Sequence, residues 1–263
     1  MEHATLGRTV EFEHPLNERV RKLMRLEFLL AQTRHHLSGR SGWDTRAAIG
    51  SMLETLEGLG RSDIKGELIQ EMDRQRGHLE QLRHRAGIDQ EELNKLLGEL
   101  RDLTDQLHTL PGQPGQILRE NELISSFRQR MTIPGGTAYF DLPGLHRWLN
   151  QPLHQRQETL SGWYSQFTLL EQCLDMVLRL IRETGKRTLE VARGGIYEQV
   201  PDAERPCQLL RIALPVDCGA YPEISAGRHR ITIRFVTQVS LEQRPCQVTD
   251  DLEFRLACCR GAT

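Results

Sequence analysis

The sequence predicts an α+β protein in which a mostly helical N-terminal domain precedes a smaller antiparallel β domain. Apolar residues recur at helical spacing up to about Gly185, and the period becomes two after it. The chain has 263 residues, of which 38% are hydrophobic, so it is long enough for one or two buried cores. We therefore expect a loose extension over 1–8, a helical domain over 9–185 and a β domain over 186–263.

Sequence signals place several helices within the first of these domains. An apolar stripe follows Pro15, and a helical pair is expected at about 63–87 and 89–108. Asp89 opens the second helix as a capping residue, and the proline- and glycine-rich run 111–115 ends it in a turn. Because the connection between the two helices is short, we expect them to form an antiparallel hairpin.

One more amphipathic helix is expected at 167–184. Leucine, valine and isoleucine side chains fill one face, and a polar residue recurs every four positions on the other. We expect this polar stripe, formed by Glu171, Asp175 and Arg179, to face solvent.

The C-terminal part alternates between apolar and polar residues, with Pro, Gly and Asp between the runs. This pattern predicts four to six antiparallel strands with one face in solvent. Residues 9–13 also alternate but are too short to form a sheet alone. We expect them to add an edge strand to the C-terminal sheet.

Composition excludes several classes of function. Lys and Arg total 34 against 36 Asp and Glu, a formal charge of −2, which disfavours broad binding of nucleic acid. The chain carries neither a long apolar run nor a signal-peptide pattern, so we expect a cytoplasmic protein without membrane association. The six cysteines form no C-x-x-C pair, which favours reduced thiols, with Cys258 and Cys259 packed at a strand end.

Motifs for catalysis are missing from the sequence. It contains no nucleophile elbow, no H-E-x-x-H and no phosphate-binding loop, and its ten histidines are scattered. We therefore predict no enzyme activity, no cofactor and no metal site.

The sequence features that do indicate a function are clusters of basic residues. Arg21, Lys22 and Arg25 form one stripe on the first helix, next to its apolar stripe. Residues 116–156 carry five Arg against three acids, whereas 52–108 carry eight basic residues against thirteen acids. Charge is thus segregated along the chain even though the total is near zero.

The order and spacing of several segments resemble the ZapD family, also called YacF, of Z-ring-associated cell-division proteins. The resemblance covers nearly the whole chain. Its segments are FEHPLNE at 12–18, RLEF at 25–28, MDRQ at 72–75, RQR, IPGG, FDLP and LHRW between 128 and 148, VLRLIR at 177–182 and LEFRLACC at 252–259.

This resemblance implies a cytoplasmic protein of the mid-cell division ring with a helical and a β domain. Family members are usually homodimers that bind the C-terminal tail of FtsZ in a basic pocket and cross-link FtsZ filaments into bundles. The pocket carried over to this chain includes Arg25 and His146, with Arg119, Arg128 and Arg130 from the central run, beside the neighbouring Arg21 and Lys22. Where the family pattern has a further Arg, this chain has Asn121 and Glu122, which shifts the positive potential to Arg119 or to Arg228 and Arg230 of the β domain.

The residues alone leave other interpretations open. The stripe on the first helix also fits a solvated face partly neutralised by Glu18. A small-ligand or nucleotide enzyme would place Asp141, His146 and Arg130 in a site between the helical and β domains. RNA binding through the central Arg run is disfavoured by the low aromatic content of 5% and by the acidic region 52–108.

Overall fold

The computed structural model describes residues 8–60, 63–85, 87–238 and 240–261, apart from the side chain of His84. The predicted loose extension at 1–8 lies outside these residues except for Arg8. The chain divides into two compact units, one over Lys22–Val177 and the other formed by the residues up to Arg21 with those from Leu178 onward. The α+β class is confirmed, because helices occupy the N-terminal part and antiparallel strands the C-terminal part.

Helices form the described part of the chain from Glu18 to Glu183, with short loops and turns between them. Single 3₁₀ turns occur at Leu82–His84 and Ser165–Phe167. The α-helices are α1 (Glu18–Leu37), α2 (Gly42–Gly60), α3 (Ile64–Gln81), α4 (Gln90–Thr109), α5 (Gln116–Glu120), α6 (Glu122–Met131), α7 (Pro143–Leu149), α8 (Leu153–Tyr164) and α9 (Thr168–Glu183).

The predicted hairpin is formed by α3 and α4. The Lys65 ammonium at the start of α3 donates to the Leu110 carbonyl oxygen just beyond the end of α4, at 2.8 Å. Met72 lies in the middle of α3, and its Sδ is 3.9 Å from Oγ1 of Thr104 in the C-terminal half of α4. Residue numbers rise on one helix as they fall on the other, so the pair is antiparallel, as predicted.

The turn after α4 needs glycine. Gly115 has φ of +82°, in the left-handed region. A Cβ atom on it would lie 2.2 Å from Leu56 Cδ2 on α2 and 3.1 Å from Phe167 Cε1. The loop therefore approaches α2 more closely than a side chain would allow.

Helix α9 has the predicted apolar face, but its polar stripe is not wholly in solvent. Asp175 and Arg179 are exposed, whereas Glu171 is only 9% exposed. Its carboxylate accepts a hydrogen bond from the Tyr164 hydroxyl at 2.7 Å and lies 2.9 Å from Arg34 Nε. Burial, followed by the nearby Glu171 carboxylate, raises the pKa of Tyr164. The prediction was wrong at Glu171 because two polar partners make its burial tolerable.

The strands form two antiparallel sheets. The first has the order β1 (Thr9–Pro15), β4 (Cys207–Pro215), β8 (Leu252–Arg260) and β2 (Arg187–Ala192). The second has the order β3 (Ile196–Gln199), β6 (Ile231–Thr237) and β5 (Ala220–Ala226), with β7 (Cys246–Gln247) also paired to β6. Seven of these strands follow Gly185 in the described chain, so the predicted four to six was too low.

The two sheets share one core. Ile212 and Phe254 from the first sheet pack with Ile233 and Phe235 from the second, and the two phenylalanine rings lie 4.8 Å apart. Strand β4 is buried on both faces for most of its length, which corrects the prediction of a solvated face for this strand. A central strand covered on both sides carries apolar residues without a strict period of two.

Strand β1 is the predicted edge strand. It pairs antiparallel with β4 from Thr9 opposite Pro215 to Pro15 opposite Leu209. Ion pairs add to the ladder, because Glu13 lies 2.8 Å from Arg182 and 2.9 Å from Arg211. The N-terminal segment is thus joined to the C-terminal sheet by backbone and side-chain contacts.

The cysteines behave differently from one another. The sulfur atoms of Cys207 on β4 and Cys258 on β8 are joined as a disulfide, so the prediction of six reduced thiols is wrong for this pair. Cys259 is buried and its thiol faces the Arg182 carbonyl oxygen at 3.5 Å. Burial raises the pKa of the Cys259 thiol to about 11, which keeps it protonated at neutral pH.

We expect Asp89→Ala to lower the free energy of unfolding by about 1 kcal/mol, because the Asp89 carboxylate accepts hydrogen bonds from the Glu91 and Glu92 amides at the start of α4. Chemical denaturation would measure the change. Asp102→Ala is the matched control, since Asp102 is exposed in the interior of the same helix. Equal losses in both variants would contradict the capping role.

Candidate functional site

The predicted basic residues differ in how far their charges are already engaged. They are distributed over α1, α5, α6 and α7. Contacts within the protein divide them into cations that hold neighbouring helices and cations that extend into solvent.

On α1, Arg21 and Lys22 contact carboxylates and a backbone carbonyl. Arg21 Nη2 donates to the Pro15 carbonyl oxygen at 3.0 Å, and its Nε lies 3.6 Å from Glu18. The Lys22 ammonium lies 2.9 Å from Glu67 Oε1 on α3. Arg25 is exposed one turn further along the helix. The repulsion expected within this stripe is thus reduced by carboxylates on α1 and α3.

Arg119 on α5 stabilises the end of another helix. Its Nη2 donates to the Leu56 carbonyl oxygen in the last turns of α2, at 3.0 Å, and its side chain is partly buried. A guanidinium at a helix C-terminus interacts favourably with the helix dipole. Arg119 therefore contributes positive potential mainly from a fixed position.

The segment between α6 and α7 is a compact turn fixed by its own backbone. The amide of Ile133 donates to Arg130 O, that of Gly136 to Ile133 O, and those of Asp141 and Leu142 to Ala138 O, all at 2.9–3.1 Å. Arg46 on α2 adds a hydrogen bond of 2.6 Å to the Thr137 carbonyl oxygen. Burial of the Arg46 guanidinium lowers its pKa, although arginine remains charged.

Predicted cations lie at both ends of this turn. Arg128 and Arg130 are exposed on the last turns of α6, and Arg130 Nη1 lies 3.1 Å from Asp141 Oδ1. His146 is exposed on α7, with its ring 5.6 Å from that of Tyr139 in the turn. The turn thus joins Arg130, through Asp141, and His146, through Tyr139, into one surface.

The apolar residues of the central run, Phe127, Met131 and Trp148, are candidates from the sequence for the apolar contacts of a bound peptide. Phe127 is only 4% exposed and belongs to the core, which corrects that part of the prediction. Apolar side chains at the surface are instead Ile133 (50% exposed), Tyr139 (63%) and Phe140 (71%). We call these three residues the apolar corner. The sequence marks this position only as a turn, through Gly-Gly three residues before the Tyr-Phe pair, and a turn alone does not show whether its side chains are covered.

No cluster of three or more His, Cys, Asp or Glu side chains suited to a metal ion occurs among the described residues. In the same part of the chain, every helix is too short or too polar to cross a lipid bilayer.

We expect Gly136→Ala to destabilise the turn, because a Cβ atom there would lie 2.5 Å from the Arg130 carbonyl oxygen and 2.8 Å from Ile133 Cβ. The backbone would have to shift, at a cost of about 1–3 kcal/mol in unfolding free energy. Gly144→Ala is the control, since no atom lies within 4 Å of the added Cβ. A loss of stability in Gly144→Ala as large as in Gly136→Ala would contradict this explanation.

Comparisons with known proteins identify relatives across almost the whole chain. A family model named ZapD and described as "Cell division protein" matches residues 24–234. The chain is 39% identical over 250 residues to the cell division protein ZapD of Methylococcus capsulatus, covering 95% of this chain and 98% of that protein. It is 38% identical to the ZapD proteins of Aromatoleum aromaticum and Pectobacterium carotovorum, with 95% of this chain covered and 97% and 98% of theirs. This chain therefore belongs to the ZapD family of cell division proteins.

Proposed function

We propose that this protein is a non-catalytic cross-linker that binds the C-terminal tail of FtsZ and joins FtsZ filaments into bundles at the mid-cell ring in the cytoplasm. Family membership supports the role in division. The observation that carries the binding site is the set of exposed cations on α1, α6 and α7. The proposed tail-binding residues are Arg25, His146, Arg119, Arg128, Arg130, Arg21 and Lys22.

The chemistry of the site suits an acidic, flexible peptide. A guanidinium donates parallel hydrogen bonds to a carboxylate, and such charge-assisted bonds fix orientation as well as affinity. Arg25 and Arg128 are exposed on helices whose apolar faces are buried, so their backbones need no rearrangement for binding. Recognition by a pre-ordered surface limits the entropy cost to the peptide.

The proposed residues divide into direct contacts and supports, and Arg21 and Arg130 are supports because Glu18 and Asp141 already pair with them. Lys22 and Arg119 already engage Glu67 and the Leu56 carbonyl oxygen, so their role is to supply positive potential. Arg25, Arg128 and His146 are the proposed direct contacts.

Asn121 and Glu122, at the position where the family pattern has a further Arg, have a local explanation. The Asn121 side chain accepts a hydrogen bond from the Ile124 amide at 3.1 Å and caps α6. Glu122 lies in the first turn of α6, where a negative charge interacts favourably with the helix dipole.

Bundling follows from weak sites present in several copies. A short peptide that becomes ordered on binding gives about micromolar affinity or weaker, roughly −8 kcal/mol or less in magnitude. A homodimer holds two sites, and each filament displays many tails, so the effective concentration of tails is high. Filaments are then joined without any chemical step.

We expect this protein to sediment full-length FtsZ polymers as bundles but to leave polymers of tail-deleted FtsZ unbundled. The proposed ligand is the tail, whose carboxylates the basic residues would bind, so its removal should abolish bundling. Low-speed sedimentation with electron microscopy would measure bundling. Equal bundling of both polymers would show that the tail is not the ligand.

We expect Arg25→Glu to weaken tail binding and bundling while the circular dichroism spectrum stays native. Reversing an exposed charge repels the carboxylates of the tail without disturbing the buried face of α1. Arg83→Glu makes the same charge change at an exposed position outside the proposed site. Wild-type bundling by Arg25→Glu, or an equal loss in Arg83→Glu, would remove Arg25 from the site.

A further inference from the structure

The apolar corner is exposed although the turn that carries it is closed by hydrogen bonds. Its Tyr139 and Phe140 rings meet edge to face, with centroids 5.3 Å apart. Successive backbone hydrogen bonds, together with the bond from Arg46, hold the turn in one conformation. An apolar cluster held rigidly in solvent is a common mark of a binding surface.

Charge around the corner indicates the kind of partner it fits. Arg128, Arg147 and His146 are exposed on the two flanking helices, and the carboxylate of Asp141 is paired with Arg130. Aromatic side chains also lose little conformational entropy when they bind a partner. A peptide that alternates carboxylates with aliphatic side chains would pair with the cations and pack against the aromatic rings of Tyr139 and Phe140.

A neighbouring cavity suits such a peptide less well. It has a volume of about 380 Å³ and lies between α6 and the start of α7. Leu123, Leu142 and Leu145 line it, but so do the carboxylates of Glu122 and Asp141. The Glu122 carboxylate would repel an acidic peptide, whereas the side chains of the corner carry no charge.

We propose that Ile133, Tyr139 and Phe140 form an apolar subsite that takes an aliphatic side chain of the acidic peptide bound by the neighbouring cations. The inference rests on the proposed function, and it adds a determinant of specificity that charge alone does not supply. Cations select any acidic segment, whereas the corner selects one in which an aliphatic residue lies beside the carboxylates.

The test measures binding of a synthetic FtsZ C-terminal tail peptide by fluorescence anisotropy at low and high salt. We expect Tyr139→Ala/Phe140→Ala to weaken binding about tenfold or more, because buried aromatic anchors dominate peptide interfaces. The salt dependence should stay as in the wild type, since the ionic contacts remain. The matched control is Val200→Ala/Leu241→Ala, at two apolar positions that are 82% and 95% exposed in the unit that contains the strands. This variant should bind the peptide as the wild type does.

A second peptide, with its aliphatic residues replaced by serine, locates the contact. We expect the serine peptide to bind the wild type about tenfold more weakly than the original peptide does. Its affinity for the double variant should be only slightly lower again, since both changes remove the same contact. Independent, additive losses would overturn the subsite.

Other outcomes separate the two proposals. If the wild type does not bind the tail, the proposed function is wrong. If it binds and the double variant binds equally well, only the subsite is wrong. If the double variant sediments as a smaller species than the wild type, the corner is a contact between two copies of this chain, and the subsite is again overturned.

Discussion

The site depends on the close packing of Gly136 against the Arg130 carbonyl oxygen. This contact closes the turn between α6 and α7, and the hydrogen bonds that follow fix the direction in which the chain leaves it. Since α7 begins directly after the turn, the position of His146 relative to Arg130 is determined by backbone geometry rather than by attraction between side chains. Two basic residues can therefore share a surface, with Asp141 paired to Arg130.

Contacts within the protein explain why cations that look alike in the sequence differ in role. Lys22 faces Glu67, Arg119 faces a helix C-terminus, and Arg182 faces Glu13, so each of these charges stabilises the protein itself. Withdrawing such a group from its partner to bind a ligand would offset much of the energy gained. An exposed residue such as Arg128 carries less of that cost, so exposure separates the proposed binding residues from supports better than charge does.

Sequence patterns predicted those elements whose period reflects a single buried face. The hairpin of α3 and α4, the apolar face of α9 and the edge strand β1 were all predictable for this reason. The prediction failed where tertiary contacts change the environment of a residue, as at Glu171, which Tyr164 and Arg34 make tolerable inside the protein, and along β4, which is covered on both faces. The apolar corner was missed because an aromatic pair in a turn has the same sequence whether it is covered or exposed.

A rigid surface and a flexible ligand divide the cost of binding in a way that suits a reversible assembly. In the proposed function, the turn is already closed by its own hydrogen bonds, so the entropy loss on binding falls on the peptide and each contact stays weak. Under the proposed mechanism, weak contacts let single tails exchange quickly, while many tails per filament keep the filaments together. A tighter site would then slow this exchange more than it would strengthen the proposed bundle, because retention depends on the number of contacts. The proposed function therefore requires only a preformed surface with modest affinity for the peptide, and a short turn between two helices can supply one.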